Sequence, residues 1–113
     1  MEKVKIIAYY LPQFHPFKQN NEWWGKGFTD WISVKTSEVL FEGHRQPRIP
    51  LDGYYYDLSR AEDIKNQTEL AKKYGIYGFG IYHYWFSSDK QTLTKPAELL
   101  LEHSEIDIPF FFA

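Results

Sequence analysis

Residues 59–86 read SRAEDIKNQTELAKKYGIYGFGIYHYWF, and this stretch decides the fold. Its first half predicts a helix, because Ser59 and Glu62 match a capping box and apolar residues then recur at helical spacing. Gly75 suits the left-handed residue that ends many helices. Residues 77–86 form a continuous aromatic and aliphatic run, which predicts a buried strand. A helix followed closely by an apolar strand is the repeating unit of α/β folds.

The segments on either side extend this pattern. Residues 4–11 predict a first strand, and residues 108–112 predict a third. Between the second and third strands, Thr92 or Thr94 is predicted to open a helix with Pro96 in its first turn. Continuous rather than alternating apolar strands favour a parallel sheet that is covered on both faces. The predicted fold class is therefore α/β.

At this point the sequence does not decide whether the predicted sheet closes into a barrel or stays an open sheet. A barrel takes about 250 residues, and this chain has 113. A doubly wound open sheet and the first part of a barrel both fit the pattern. The last strand stops at Ala113 with its edge uncovered, so we expect a fragment, with self-association through that edge as one expected interaction.

The chain is predicted to form one partial domain over residues 1–113. Its first βα loop is long and covers residues 11–58. Proline and glycine interrupt this loop throughout, and four aromatic residues crowd between Trp23 and Trp31. A loop of this length in a compact domain is functional or disordered, and its aromatic content argues against disorder.

Composition excludes several classes of function. Aromatic residues make up 19% of the chain, more than packing alone requires. The net charge is −2 and no lysine and arginine cluster occurs, so nucleic acid is not an expected partner. Without cysteine there are no disulfides, which fits a reducing compartment. No apolar run suits a signal peptide or a membrane span, so a cytoplasmic chain is expected.

Binding sites in parallel α/β folds lie where strands end and in the loops that follow. Here these places are rich in aromatic side chains with polar groups, which pack on a sugar ring and hydrogen-bond its hydroxyls. Any single one of them fits core or rim packing equally well. The predicted substrate-binding residues are Tyr10, Gln13, His15, Trp23, Trp24, Asp30, Trp31, His44, His83, Tyr84 and Trp85.

Catalytic residues are not assigned. Cleavage of a glycosidic bond usually needs one protonated and one ionised carboxyl group. The candidate carboxylates form no convincing pair, and the histidines lack the short spacing of metal ligands, so neither a metal nor another cofactor is expected. Those candidates are Glu22, Asp30, Asp52, Asp57 and Asp89.

Four motifs occur together, namely YLPQFHP at 10–16, EWWGKGFTDW at 22–31, GHRQPRIP at 43–50 and YGIYGFGIYHYWF at 74–86. They resemble the glycoside hydrolase family 99-like domain, also called the WbsX type, over nearly the whole chain. The resemblance implies the N-terminal βαβαβ portion of a (β/α)8 TIM-type barrel related to retaining endo-α-mannosidases. For bacterial WbsX-type members, some labelled glycosyltransferases, it implies a place in polysaccharide or lipopolysaccharide O-antigen synthesis.

The resemblance also implies that the catalytic glutamates lie on later strands, beyond Ala113. Asp30 stands where the family usually has glutamate, which shortens the reach of the charge. Three interpretations stay open. The chain is a fragment of a glycoside hydrolase or glycosyltransferase acting on a mannoside or O-antigen-type polysaccharide and inactive alone, or a non-catalytic carbohydrate-binding module, or a truncated remnant without function.

Overall fold

The computed structural model describes the backbone of residues 4–87, 90–92 and 94–113, and their side chains except at 19–20, 84–87 and 90–92. In chain order the elements are β1 (Ile7–Tyr10), α1 (Lys18–Trp24), α2 (Asp30–Lys35), a 3₁₀ turn (Leu51–Gly53), α3 (Ala61–Lys73), β2 (Gly78–Ile81), β3 (Tyr84–Ser87), β4 (Lys90–Thr92), α4 (Lys95–Glu102) and β5 (Phe110–Phe112).

The chain divides into two units. Unit 1 comprises the residues up to Gln13 together with Leu58–Ala113, and unit 2 is Phe14–Asp57. Unit 1 holds the strands and the two longer helices, whereas unit 2 holds α1, α2 and the 3₁₀ turn. Unit 2 lies within the segment that the sequence predicts as the long first loop.

Unit 1 is built on a three-stranded parallel sheet in the order β1–β2–β5. Tyr9 lies opposite Gly80, and Gly80 lies opposite Phe111. The mixed α/β class and the parallel pairing are therefore confirmed. β1 is shorter than the predicted first strand, because its pairing with β2 covers only four residues.

The two faces of this sheet differ in their cover. All four residues of β2 are buried. Helices α3 and α4 contact each other, so they lie on the same face. On the opposite face Ile7, Tyr9 and Phe111 are exposed, so the predicted cover on both faces is found on only one. The buried apolar side chains are Leu58, Ile64, Phe79, Ile81, Ala97, Leu99, Leu100, Ile106 and Ile108.

Helix α3 ends as predicted and begins one residue late. Gly75 has φ of +89°, and the N–H groups of Gly75 and Ile76 donate to carbonyls of the last turn at 3.1 and 3.0 Å. These are the two bonds of a Schellman motif. The N-cap is Arg60 rather than Ser59, because the first helical bond runs from the Ile64 N–H to the Arg60 carbonyl.

The single strand predicted over residues 77–86 is wrong, because the structure splits it into β2 and β3. β3 pairs antiparallel with β4 and does not join the parallel sheet. The split follows from β1, which ends before Pro12. The Tyr82 N–H donates to the Tyr10 carbonyl at 3.0 Å, where the described β1–β2 ladder ends. The turn residue Asp89 lies outside the described residues.

α4 and β5 follow the sequence predictions with shorter bounds. Thr94 is the N-cap of α4 and Pro96 lies in its first turn, which confirms one of the two predicted starts. β5 begins two residues later than predicted, because Pro109 has no N–H. Its carbonyl still accepts from the Phe79 N–H at 2.9 Å.

The two glycines of β2 differ in what an added methyl group would meet. At Gly78 it would lie 2.6 Å from the Pro109 carbonyl oxygen, and at Gly80 it would lie 2.9 Å from the tip of the Phe111 ring. The backbone carbonyl cannot move without disturbing the β2–β5 ladder, whereas the exposed ring can turn away. We expect Gly78→Ala to lower the free energy of unfolding by about 1–3 kcal/mol, and Gly80→Ala by less.

Urea unfolding of both variants, followed by circular dichroism, measures this difference. The two substitutions change the same residue type in the same buried strand, so each controls for the other. Equal losses, or a larger loss for Gly80→Ala, would contradict the steric explanation.

Candidate functional site

The carboxyl ends of β1 and β2 carry a pair of exposed tyrosines. The Tyr9 and Tyr82 rings lie 5.6 Å apart with an interplanar angle of 33°. Tyr9 is 73% exposed, and Tyr82 is also exposed. The rings are neighbours because the strands pair in parallel up to Tyr10 and Ile81. This edge therefore presents two apolar ring faces and two hydroxyl groups.

His83 lies at the same edge. Its ring centroid is 5.2 Å from that of Phe112, at the end of β5. Its Nδ1 atom is buried and has no hydrogen-bond partner in the part of the chain that the structure describes. Because Phe112 lies opposite Ile81 in the ladder, the His83 ring packs on the face of the sheet that Tyr10 shares, opposite to Tyr9.

The other predicted residues of unit 1 make mainly internal contacts or fall outside the described side chains. The Tyr10 hydroxyl donates to Oε1 of Gln67 in α3, and the Tyr10 ring stacks on β2. Gln13 is half-buried after the end of β1. The backbone of Tyr84 and Trp85 lies in β3, and their side chains are outside the described part.

The residues predicted to bind substrate do not include Tyr9 and Tyr82, although both lie in the strand ends that the sequence indicated. Side chains alternate between the faces of a strand, so Tyr9 and Tyr10 point to opposite sides of the sheet. Only one of the two can face α3, and the structure shows that it is Tyr10. The alternation in β1 was the signal that could have selected Tyr9.

Three aromatic rings pack together in unit 2, and we call Phe14, Trp31 and Tyr56 the aromatic triad. Phe14 and Trp31 meet edge to face at 4.7 Å, Trp31 and Tyr56 at 5.0 Å, and Phe14 lies 5.8 Å from Tyr56. The Trp31 Nε1–H also donates to the Tyr56 carbonyl at 2.7 Å. The triad joins three distant segments of unit 2.

Each ring of the triad has a polar neighbour in sequence, namely His15, Asp30 or Asp57. His15 is 1% exposed, and among the described side chains of unit 2 it alone is fully buried. Burial lowers the pKa of His15. The charge of Asp57 and, to a smaller extent, that of Asp30 act in the opposite direction and raise this pKa. Neither His15 ring nitrogen has a partner among the described residues, and the same holds for buried Oδ2 of Asp30.

Trp23, Trp24 and His44 lie elsewhere in unit 2. Trp23 and Trp24 are 71% and 68% exposed at the end of α1, and Trp24 stacks on Phe28 at 5.7 Å. His44 closes a turn, because its Nδ1 accepts from the Leu40 N–H at 3.2 Å. The structure thus places two predicted residues on an open aromatic surface and gives His44 a contact within its own segment.

Trp31→Phe tests the aromatic triad. The substitution removes the bond to the Tyr56 carbonyl and part of three ring contacts, with Phe14, Tyr55 and Tyr56. We therefore expect the free energy of unfolding to fall by about 1–3 kcal/mol. Trp24→Phe is the matched control, because Trp24 is largely exposed, and we expect a change within about 0.5 kcal/mol. Chemical denaturation of both variants measures the difference, and a Trp31→Phe variant as stable as the control would contradict it.

The lowered pKa of His15 predicts that acid destabilises the fold. In the unfolded chain the imidazole titrates near 6.5, and in the folded chain it titrates lower. As the pH falls through 6.5, the unfolded chain takes up this proton first, so stability is lost down to the folded pKa. Urea unfolding from about pH 7.5 to about pH 5 measures the slope.

Replacing His15 by Gln should flatten this pH dependence, whereas His44→Gln should leave it in place. An unchanged slope in the His15→Gln variant would show that the acid sensitivity arises from other groups.

The described residues contain no group of three histidine, cysteine or acidic side chains arranged to hold a metal ion. No helix among them has the length and apolar content needed to cross a bilayer.

The fold and these two aromatic regions define an α/β chain whose exposed strand ends and loop present rings with polar groups. Comparison with known families identifies the family of this chain. The chain belongs to the glycosyltransferase WbsX family, whose model matches residues 6–113. The resemblance stated from the sequence motifs is therefore confirmed, and the family is a carbohydrate-related one.

Two curated relatives carry the name uncharacterized protein WxcX, from Xanthomonas campestris pv. campestris strains B100 and ATCC 33913. Each is 44% identical over 105 residues, which cover 93% of this chain and 15% of the relative. The chain thus spans a small part of the length of these relatives. No solved structure matches it significantly.

Proposed function

We propose that the chain contributes to a carbohydrate-active enzyme, a glycosyltransferase or glycoside hydrolase that acts on a mannoside or an O-antigen-type polysaccharide. Its part is to bind the sugar through aromatic rings and hydrogen bonds. Family membership supports the carbohydrate-related function. The substrate and the direction of the reaction are our proposals.

The observation that carries the proposal is the Tyr9–Tyr82 pair at the carboxyl edge of the sheet. Parallel α/β folds bind ligands at the carboxyl edge of the sheet. At this edge the two rings lie 5.6 Å apart and remain open to solvent. A pyranose packs its C–H face on such rings, while its hydroxyls meet the phenol groups.

The predicted sugar-binding residues are proposed to contribute with different roles. Exposed Trp23 and Trp24 suit stacking, whereas His83, whose Nδ1 is buried, suits an indirect role. Tyr10 suits an indirect role, because its hydroxyl already donates to Gln67. The remaining proposed members of the set are Gln13, His15, Asp30, Trp31, His44, Tyr84 and Trp85.

We also propose that the sheet is the N-terminal βαβαβ portion of a (β/α)8 barrel domain over residues 1–113, with residues 11–58 as its first βα connection. Two features support a barrel. The strand order follows the chain order, and α3 and α4 share one face. In a barrel all helices lie outside and the other face turns inward. The cytoplasmic location and self-association through β5 stay predictions.

Substitution at the carboxyl edge tests the sugar site. We expect the chain to bind manno-oligosaccharides, and Tyr9→Ala and Tyr82→Ala each to weaken binding about tenfold, which corresponds to about 1.4 kcal/mol. Tyr74→Ala is the matched control, since Tyr74 is an exposed tyrosine at the end of α3. Isothermal titration calorimetry measures the dissociation constants, and equal affinities in all variants would contradict the site.

The same samples separate binding from catalysis. An absence of α-mannoside turnover alongside binding agrees with a chain that supplies only the binding part of the enzyme. If the corresponding substitutions in a full-length WbsX-family protein also leave transfer and hydrolysis unchanged, the carbohydrate-binding module becomes the better interpretation.

A further inference from the structure

The face of the sheet opposite the helices has no side chains along its central strand. In this face β2 contributes Gly78 and Gly80, since its alternate residues point toward the helices. Tyr9 of β1 and Phe111 of β5 lie opposite Gly80, one on each side. Adjacent strands lie about 4.8 Å apart, so side chains of β1 and β5 approach each other only if β2 leaves the space between them empty.

The rings of Tyr9 and Phe111 both reach the space above Gly80. A Cβ atom at this glycine would lie 2.9 Å from Cζ of Phe111 and 3.4 Å from Cδ1 of Tyr9. The Tyr9 ring centroid also lies 5.6 Å from that of Tyr82. Tyr9 therefore connects Tyr82 with Phe111. We call these three exposed rings the aromatic platform.

The two ends of the aromatic platform differ in polarity. Tyr82 and Tyr9 carry hydroxyl groups, whereas Phe111 carries none. Phe111 also borders a cavity of about 90 Å³, together with Ile7 and Pro109, and none of the described residues that line this cavity is charged. A methyl group gains apolar contact beside Phe111, whereas a hydroxyl group there gives up water without a side-chain partner on the ring.

We propose that the Phe111 end of the aromatic platform binds the methyl group of a 6-deoxyhexose. This inference rests on the proposed sugar site and specifies the class of sugar that it takes. The pyranose packs on Tyr9, its ring hydroxyls meet the phenol groups of Tyr9 and Tyr82, and its C6 methyl group lies against Phe111. Phe111 is then a residue that determines specificity, and Gly80 permits the position of its ring.

Two sugars that differ by one hydroxyl group test the proposal on the unchanged chain. Methyl α-D-mannoside and methyl 6-deoxy-α-D-mannoside share their stereochemistry, and the second lacks the C6 hydroxyl. We expect the deoxy sugar to bind about fourfold more tightly, the factor that burial of one methyl group supplies. Titrations followed by nuclear magnetic resonance measure both dissociation constants. Saturation transferred from the aromatic protons should be stronger at the C6 methyl group than at the methyl group of the glycosidic oxygen.

Substitutions on β5 and β2 assign the preference to Phe111. Phe111→Ala should abolish the preference and retain binding of the mannoside through the two tyrosines. Phe112→Ala is the matched control and should keep the preference. It changes the same residue type in the same strand, with 49% exposure against 48% for Phe111, on the opposite face. Gly80→Ala should also reduce the preference, because the added methyl group displaces the Phe111 ring.

The outcomes separate this inference from the proposed function. Equal affinities for the two sugars in the unchanged chain, or a preference that persists in Phe111→Ala, would overturn the role of Phe111 and leave the sugar site supported. Absence of binding for both sugars and for manno-oligosaccharides would reject the proposed function, and this inference with it. If the substituted chains do not fold, the ratio of affinities and the saturation pattern in the unchanged chain decide the question.

Discussion

The pairing of β2 on both of its edges is the interaction on which unit 1 depends. Its backbone bonds to β1 on one side and β5 on the other, and its four residues are buried. The absence of a side chain at Gly78 permits this pairing, because the Pro109 carbonyl oxygen lies too close to the position of a Cβ atom. The helices then cover one face of the sheet. The rings at the carboxyl ends of the strands are positioned by the same pairing.

Unit 2 is organised on a different principle. Its helices are short, and among its described side chains the fully buried one is a histidine rather than an aliphatic residue. Aromatic edge-to-face contacts and one indole hydrogen bond hold its segments together. Such contacts tolerate polar neighbours, because ring edges and faces carry complementary partial charges.

Local signals in the sequence predicted the local parts of the fold. The end of α3 at Gly75 and the α4 start at Thr94 need only neighbouring residues, and both are confirmed. The division between β2 and β3 could not be predicted in this way, because it depends on where β1 stops, about 70 residues earlier in the chain. The choice of Tyr9 over Tyr10 likewise required knowing which face α3 covers. The sequence marked His15 as a candidate, yet its full burial became visible only in the structure.

The arrangement of unit 2 also restricts how related chains can differ in length. Phe14–His15, Asp30–Trp31 and Tyr56–Asp57 each join an aromatic residue to a polar one. Inserting one residue within such a pair would displace a ring and a hydrogen-bonding group together. The loops between the pairs, outside α1, α2 and the 3₁₀ turn, have no such restriction, since doubling a flexible loop costs only about 0.6 kcal/mol. Insertions and deletions among relatives are therefore expected between these three dipeptides and not inside them.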